Sequence, residues 1–85
     1  MSKADVLRQY EAYGYQIAYY LLENESMAAE AAISALKELA MEETFFRQPS
    51  ATRQQLAKKA FMKHAVKAKA TAMNERMVTA MAVAK

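Results

Sequence analysis

The sequence predicts an all-α protein, a three-helix bundle-like domain with a long basic C-terminal helix. Three observations carry this. The chain of 85 residues holds one glycine and one proline. Its bulk is alanine, methionine, leucine, lysine, glutamate and glutamine, the strong helix formers. Its β-branched residues are scattered and never run together, while its apolar residues recur at spacings of three and four.

The first helix begins after Ser2. Ser2 is a good cap, and Asp5 three residues on completes a capping box with the shorter acid. Val6, Tyr10, Tyr13, Ile17 and Tyr20 then form one apolar face, with Leu7, Gly14, Ala18 and Leu21 beside it. Gly14 costs about 1 kcal/mol relative to alanine inside a helix, which places it where another helix crosses closely. Tyr15 and Tyr19 lie off the main face, either half-buried under the third helix or forming a protein-binding patch.

Glu23-Asn24-Glu25-Ser26 reads as a short turn, with Ser26 capping a second helix from Met27 to Glu43. Its inner face is expected to be Ala28, Ala32, Ala35, Leu36 and Leu39, with Ile33 at its margin. Residues 44–50 are the main break, because Pro49 disfavours helix at Gln48. Ser50 is expected to cap the third helix, and helical propensity then runs nearly to Lys85. So long a run invites a break near Thr71–Asn74. The chain divides accordingly into a domain over residues 1–72 and a helical or frayed extension over 73–85.

On a helical wheel, Ala57, Phe61, His64, Ala65, Ala68 and Ala72 share one narrow face of the third helix, and Lys59, Lys63 and Lys67 climb the opposite side. Arg53, Lys58 and Lys69 broaden that basic arc. Met73, Met77 and Met81, with Val78 and Ala84, form a second stripe, expected to be either a docking surface, in the first place for a second copy of the chain, or a frayed tail.

Charge is divided sharply. Residues 1–46 carry eight acids and three bases, whereas residues 47–85 carry nine bases and the single acid Glu75. From Arg47 to Lys69 there are seven bases and no acid. Concentrated like charge repels itself in a compact fold. A polyanion relieves that repulsion, and nucleic acid is the usual one.

Other classes are disfavoured. The sequence has no cysteine and one histidine, His64, so no metal-ligand spacing is present and no metal or other cofactor is expected. There is no glycine-rich phosphate loop, no nucleophile-base pair and no convincing carboxylate pair, so the chain is not expected to be an enzyme. Lys3, Asp5 and Arg8 interrupt any apolar leader, and no run approaches the roughly 18 apolar residues of a membrane span. The expected location is cytoplasmic, with no membrane partner.

The order of elements resembles region 2 of bacterial sigma factors of the extracytoplasmic-function type. In Tyr13-Gly14-Tyr15-Gln16-Ile17-Ala18-Tyr19-Tyr20-Leu21-Leu22-Glu23-Asn24-Glu25, the residues Ala18, Leu21, Leu22 and Asn24 match the phrase A-x-x-L-L-x-(N/D) that closes an aromatic-rich helix in that family. The segment Ala28–Leu39 is similar to its polymerase-binding helix. Phe46, Arg47, Ser50, Leu56 and Ala60 match its F-R-x-x-S-x-x-x-x-W-L-x-x-I-A phrase. Departures are Ile33, where the family usually has Gln, and Gln55, where it has Trp. The resemblance spans about residues 6–70 and leaves no room for region 4, the module that reads the upstream promoter element.

The resemblance implies a stand-alone region 2-like domain serving transcription, either acting with a separate partner subunit that supplies region 4 or turned into a regulator. Glu30, Ser34, Lys37 and Glu38 on the second helix would contact the RNA polymerase core. Arg53, Lys58, Lys59, Lys63 and Lys67 would follow the phosphates of promoter DNA, since lysine offers point charge rather than base-specific geometry. The competing expectation is a small helical protein-protein interaction module or regulator, free of nucleic acid.

Overall fold

A computed structural model describes the backbone of residues 2–83 and the side chains of residues 2–73. Three long helices and one short one follow in order: α1 (Lys3–Leu22), α2 (Glu25–Met41), α3 (Glu43–Arg47) and α4 (Ser50–Val83). α1, α2 and α4 pack on one another, so the all-α bundle expected from the sequence is what the chain adopts.

α1 opens with the expected capping box. The Ser2 hydroxyl accepts from the Asp5 N–H at 3.2 Å, and the Asp5 carboxylate accepts from the Ser2 N–H at 3.4 Å. The helix closes on Glu23, which takes the left-handed conformation at φ 52° and donates its N–H to the Tyr19 carbonyl at 2.7 Å. That one residue reverses the chain. Asn24 is then already extended, and its side chain accepts from the Met27 N–H at 2.9 Å. The cap of α2 is therefore Asn24, two residues before the expected Ser26, because an αL residue turns the chain faster than a four-residue loop.

α2 ends at Met41 rather than Glu43, and residues 43–47 form α3 instead of a loop. The short helix is seated by Phe45, which is 1% exposed and meets the Tyr10 ring edge-on at 6.0 Å. Lys3 holds it from the outside, with its Nζ 2.7 Å from Glu43 Oε1 and 5.3 Å from the centre of the Phe46 ring. α4 begins at Ser50 itself. The Pro49 carbonyl accepts the Arg53 N–H at 2.9 Å, so Pro49 takes the capping position, where its missing N–H costs nothing. The expected break at Thr71–Asn74 is absent. Alanines flank the site, and the Thr71 hydroxyl donates to the Lys67 carbonyl at 3.0 Å, settling its polar group within the helix.

The core has two parts. Val6, Tyr10, Ala32, Ala35, Leu39, Phe45, Ala57, Ala60 and Phe61 form the larger, and Ala18, Ala28, Ala31 and Ala65 the smaller. Alanine at so many contacts lets the helix axes approach closely. Gly14 completes this logic. A β-carbon placed there would lie 2.2 Å from the Phe61 ring, so the buried Phe61 lies directly over the notch that glycine leaves. Two expected core positions are not in the core. Tyr20 is 81% exposed and Ile33 52% exposed. Both sit one step around their helices from the packed stripe, and the alanine neighbours Ala18 and Ala32 fill the contact instead.

Gly14 faces Phe61 early in α4, and Leu22 and Glu23 lie beside Lys69 further along it. α1 and α4 therefore run parallel, with α2 antiparallel to both. At 1.5 Å per residue α4 is about 51 Å long, against about 30 Å for α1. Its C-terminal part outruns the bundle.

Candidate functional site

The basic residues of α4 divide between its two flanks. Lys59 and Lys63 border a groove of about 290 Å³ against α2 and α3, whose other walls include Glu38, Leu39, Glu42, Phe45 and Leu56. Lys58 lies on the other flank, at the rim of a groove of about 350 Å³ against α1. That second groove is floored by Tyr13, Ile17, Tyr20, Leu21 and Met62, and is apolar. Lys67 and Lys69 are exposed further along the helix. Between the flanks lie exposed Met62 and Val66.

Each expected DNA contact has its own surroundings. Lys58, Lys59 and Lys67 are exposed and make no ion pair among the described residues. Arg53 is half-buried near the start of α4, and its Nε is buried without a hydrogen-bond partner among the described residues. Lys63 is engaged, with its Nζ 2.6 Å from Glu38 Oε1.

The expected polymerase contacts divide in the same way. Glu30, Ser34 and Lys37 line the outer face of α2, together with exposed Ile33 and Met41. Glu38 turns toward α4. The hydrogen bond from Lys63 holds its carboxyl below the usual carboxylate range, against a smaller opposing effect of desolvation. The charges of Lys63 and His64 add to the lowering. His64 Nε2 is 3.5 Å from Glu38 Oε1, too long for a good hydrogen bond. Glu38 and Lys63, assigned to two separate surfaces by the sequence, are thus one cross-helix pair.

Sequence reasoning also missed the apolar α1/α4 groove. Its signal was present in Tyr20 and Met62, each a large apolar residue one position off its helix's packed stripe. The aromatic residues near the basic arc are mostly committed to packing. Phe45 and Phe61 are buried and Phe46 is half-buried, so stacked bases have no ready platform among them. Tyr15 and Tyr19 stack on each other with ring centres 6.0 Å apart. Tyr15 is half-buried against the smaller core cluster, and Tyr19 is exposed.

Among the described residues, no group of three or more His, Cys, Asp or Glu side chains comes together as a metal site would require. No helix among them is long and apolar enough to cross a membrane. The arrangement offers positive charge along one long helix, an outer α2 face of mixed polarity, and apolar surface between them. No protein-family model, no curated protein and no solved structure matches this chain.

Proposed function

We propose that the chain is a transcription-related protein resembling sigma-factor region 2, which binds RNA polymerase core through the outer face of α2 and promoter DNA through the exposed basic residues of α4. The observation that carries this reading is the acid-free run from Arg47 to Lys69, borne largely on one unbroken helix with Lys58, Lys59, Lys67 and Lys69 exposed. Rigid lysines at helical spacing match a phosphate backbone without reading its bases. The order of elements shared with sigma region 2 supports the same direction. Glu30, Ser34 and Lys37 are the polymerase contacts, and Glu38 acts by holding Lys63 in place.

The test is binding of the purified chain to core polymerase, with and without a forked promoter DNA, across a salt series. Replacing Lys59, Lys63 and Lys67 together by Glu should weaken DNA binding and flatten the salt dependence by about one unit of slope for each lost phosphate contact. DNA affinity that stays constant between roughly 50 and 300 mM salt would sink the nucleic-acid reading.

A second reading is favoured by one observation, the exposure of Tyr20, Met62, Val66 and Met73 on a domain this small. On that reading the chain is a helical interaction module whose partner is a protein. Heparin and added salt separate the two, since they displace a nucleic-acid ligand and leave an apolar contact largely intact.

A further inference from the structure

α4 carries a row of apolar residues on its solvent side, beside Lys59 and Lys63, of which, among the described residues, only Met62 also borders the groove against α1. Ala57, Phe61 and Ala65 point into the core. On the far side of the same helix, Met62, Val66 and Met73 are 42%, 57% and 56% exposed, with exposed Ala70 between them. The sequence continues the spacing with Met77 and Met81, whose side chains lie outside the described residues. From Met62 to Met81 the steps are four, four, three, four and four. That series reads the same in both directions.

A stripe with this symmetry matches itself when a second helix runs the opposite way. Centred between Thr71 and Ala72, Met62 falls opposite Met81 of a second copy, Val66 opposite Met77, and Ala70 opposite Met73. We propose that the chain self-associates as an antiparallel pair through this face of α4, an isologous contact in which both copies use the same residues. The proposal goes beyond the transcription reading and does not depend on it.

Two further features select a second copy as the occupant. The first is length. α4 outruns α1 by about 20 Å, and a lone helical segment of that size is marginal in water. In the pair, each overhang lies along Met62 and Val66 of the other copy. The overlap from residue 62 to 81 is about 30 Å, close to three heptads, the length at which paired helices hold together. The second is charge. Lys58, Lys59, Lys63, Lys67 and Lys69 crowd the first part of α4, whereas residues 70–83 carry only Glu75 and Arg76. An antiparallel pair lays the basic part of each helix along the nearly neutral part of the other. A parallel pair sets lysine against lysine. Ala57, Phe61 and Ala65 seat α1 and α2 on the other side of α4 from exposed Val66 and Met73.

Sedimentation equilibrium on the full chain tests the association. The expected mass is twice the 9.6 kDa of one chain. Val66→Glu and Met73→Glu change side chains that the bundle leaves exposed, so cooperative unfolding of the bundle should persist, with loss of helicity confined to the overhang, while the dimer dissociation constant rises at least about tenfold. Direction is read by spin labels. The chain has no cysteine, so Gln55→Cys, at an exposed position, labels each copy once. Antiparallel pairing places the two labelled positions about 50 Å apart along the helix axis, whereas parallel pairing leaves them about 10 Å apart. A single-chain mass at every concentration, a short label distance, or dimerisation unaffected by Val66→Glu overturns the proposal.

Discussion

Replacing Gly14 by alanine tests the closest contact in the bundle. Two effects oppose each other. Alanine improves helix propensity by about 1 kcal/mol. Its β-carbon, however, would lie 2.2 Å from two atoms of the Phe61 ring and 2.6 Å from a third. Ordinary carbon contacts begin near 3.5 Å, so the ring or the helix axis must give by about 1 Å. Phe61 is 0% exposed and wedged among Ala57, Ala60 and their partners on α1 and α2, so no solvent-side rotamer is open to it. Overpacking of this kind costs about 1–3 kcal/mol, occasionally more. The net expectation is a loss of about 0–2 kcal/mol after the propensity gain is subtracted. With a urea slope near 1 kcal/mol/M for so small a domain, the midpoint falls by up to about 2 M. Urea unfolding followed by circular dichroism at fixed protein concentration reads this directly. Phe61→Leu in the Gly14→Ala background should recover part of the loss relative to Phe61→Leu alone, since the smaller side chain makes room. A Gly14→Ala chain stabilised by the full helix propensity would refute the close crossing of α1 and α4.

Other perturbations follow from the caps and the cross-helix pair. Asn24→Ala removes the side chain that accepts the Met27 N–H and should cost about 1 kcal/mol, measured by the same unfolding assay; an unchanged midpoint would mean that Ser26 can take over the cap. Glu38→Gln should cost about 0.2–1 kcal/mol at neutral pH, because Lys63 is 60% and Glu38 37% exposed and solvent screens the pair. Its pH dependence has a definite sign. The folded-state value of Glu38 is lowered from 4.5, so its contribution is fully present above the ordinary carboxylate range and disappears as pH falls through the lowered value. The difference between Glu38→Gln and the native chain should therefore be steady near neutral pH and shrink in acid. A difference that grows on acidification would contradict the pairing.

Most of the fold was legible in the sequence, because local rules and packing agree over long spans. Ser2 and Asp5 announced the start of α1, Gly14 announced a close crossing, and the Ala57–Phe61–Ala65 series marked the buried side of α4. What stayed hidden depended on geometry that no single segment carries. Glu23 adopts a left-handed conformation although glycine or asparagine is the common residue there, and this moved the cap of α2 to Asn24. Phe45 gives residues 44–47 of the expected loop a helical turn because its ring has a buried slot beside Tyr10 to fill. For the candidate site, the wheel placed Lys59, Lys63 and Lys67 on one side of α4. It had no means of showing that Glu38 reaches Lys63 from another helix, or that Lys58 opens onto an apolar groove instead. Those facts arise from how α1, α2 and α4 are rotated about their own axes.

The two-residue link between α1 and α2 also bears on how the chain assembles. Glu23 and Asn24 bring two long helices together at almost no cost in loop-closure entropy, which grows with the length of chain that must be looped. α4 must instead bring Phe61 across the whole of α2 and α3 to reach Gly14. Contacts close in sequence form sooner than distant ones, which implies that the α1–α2 hairpin is the nucleus and that docking of α4 completes the fold. A cap mutation at Asn24 would then slow folding, whereas a change in the Gly14–Phe61 contact would chiefly speed unfolding.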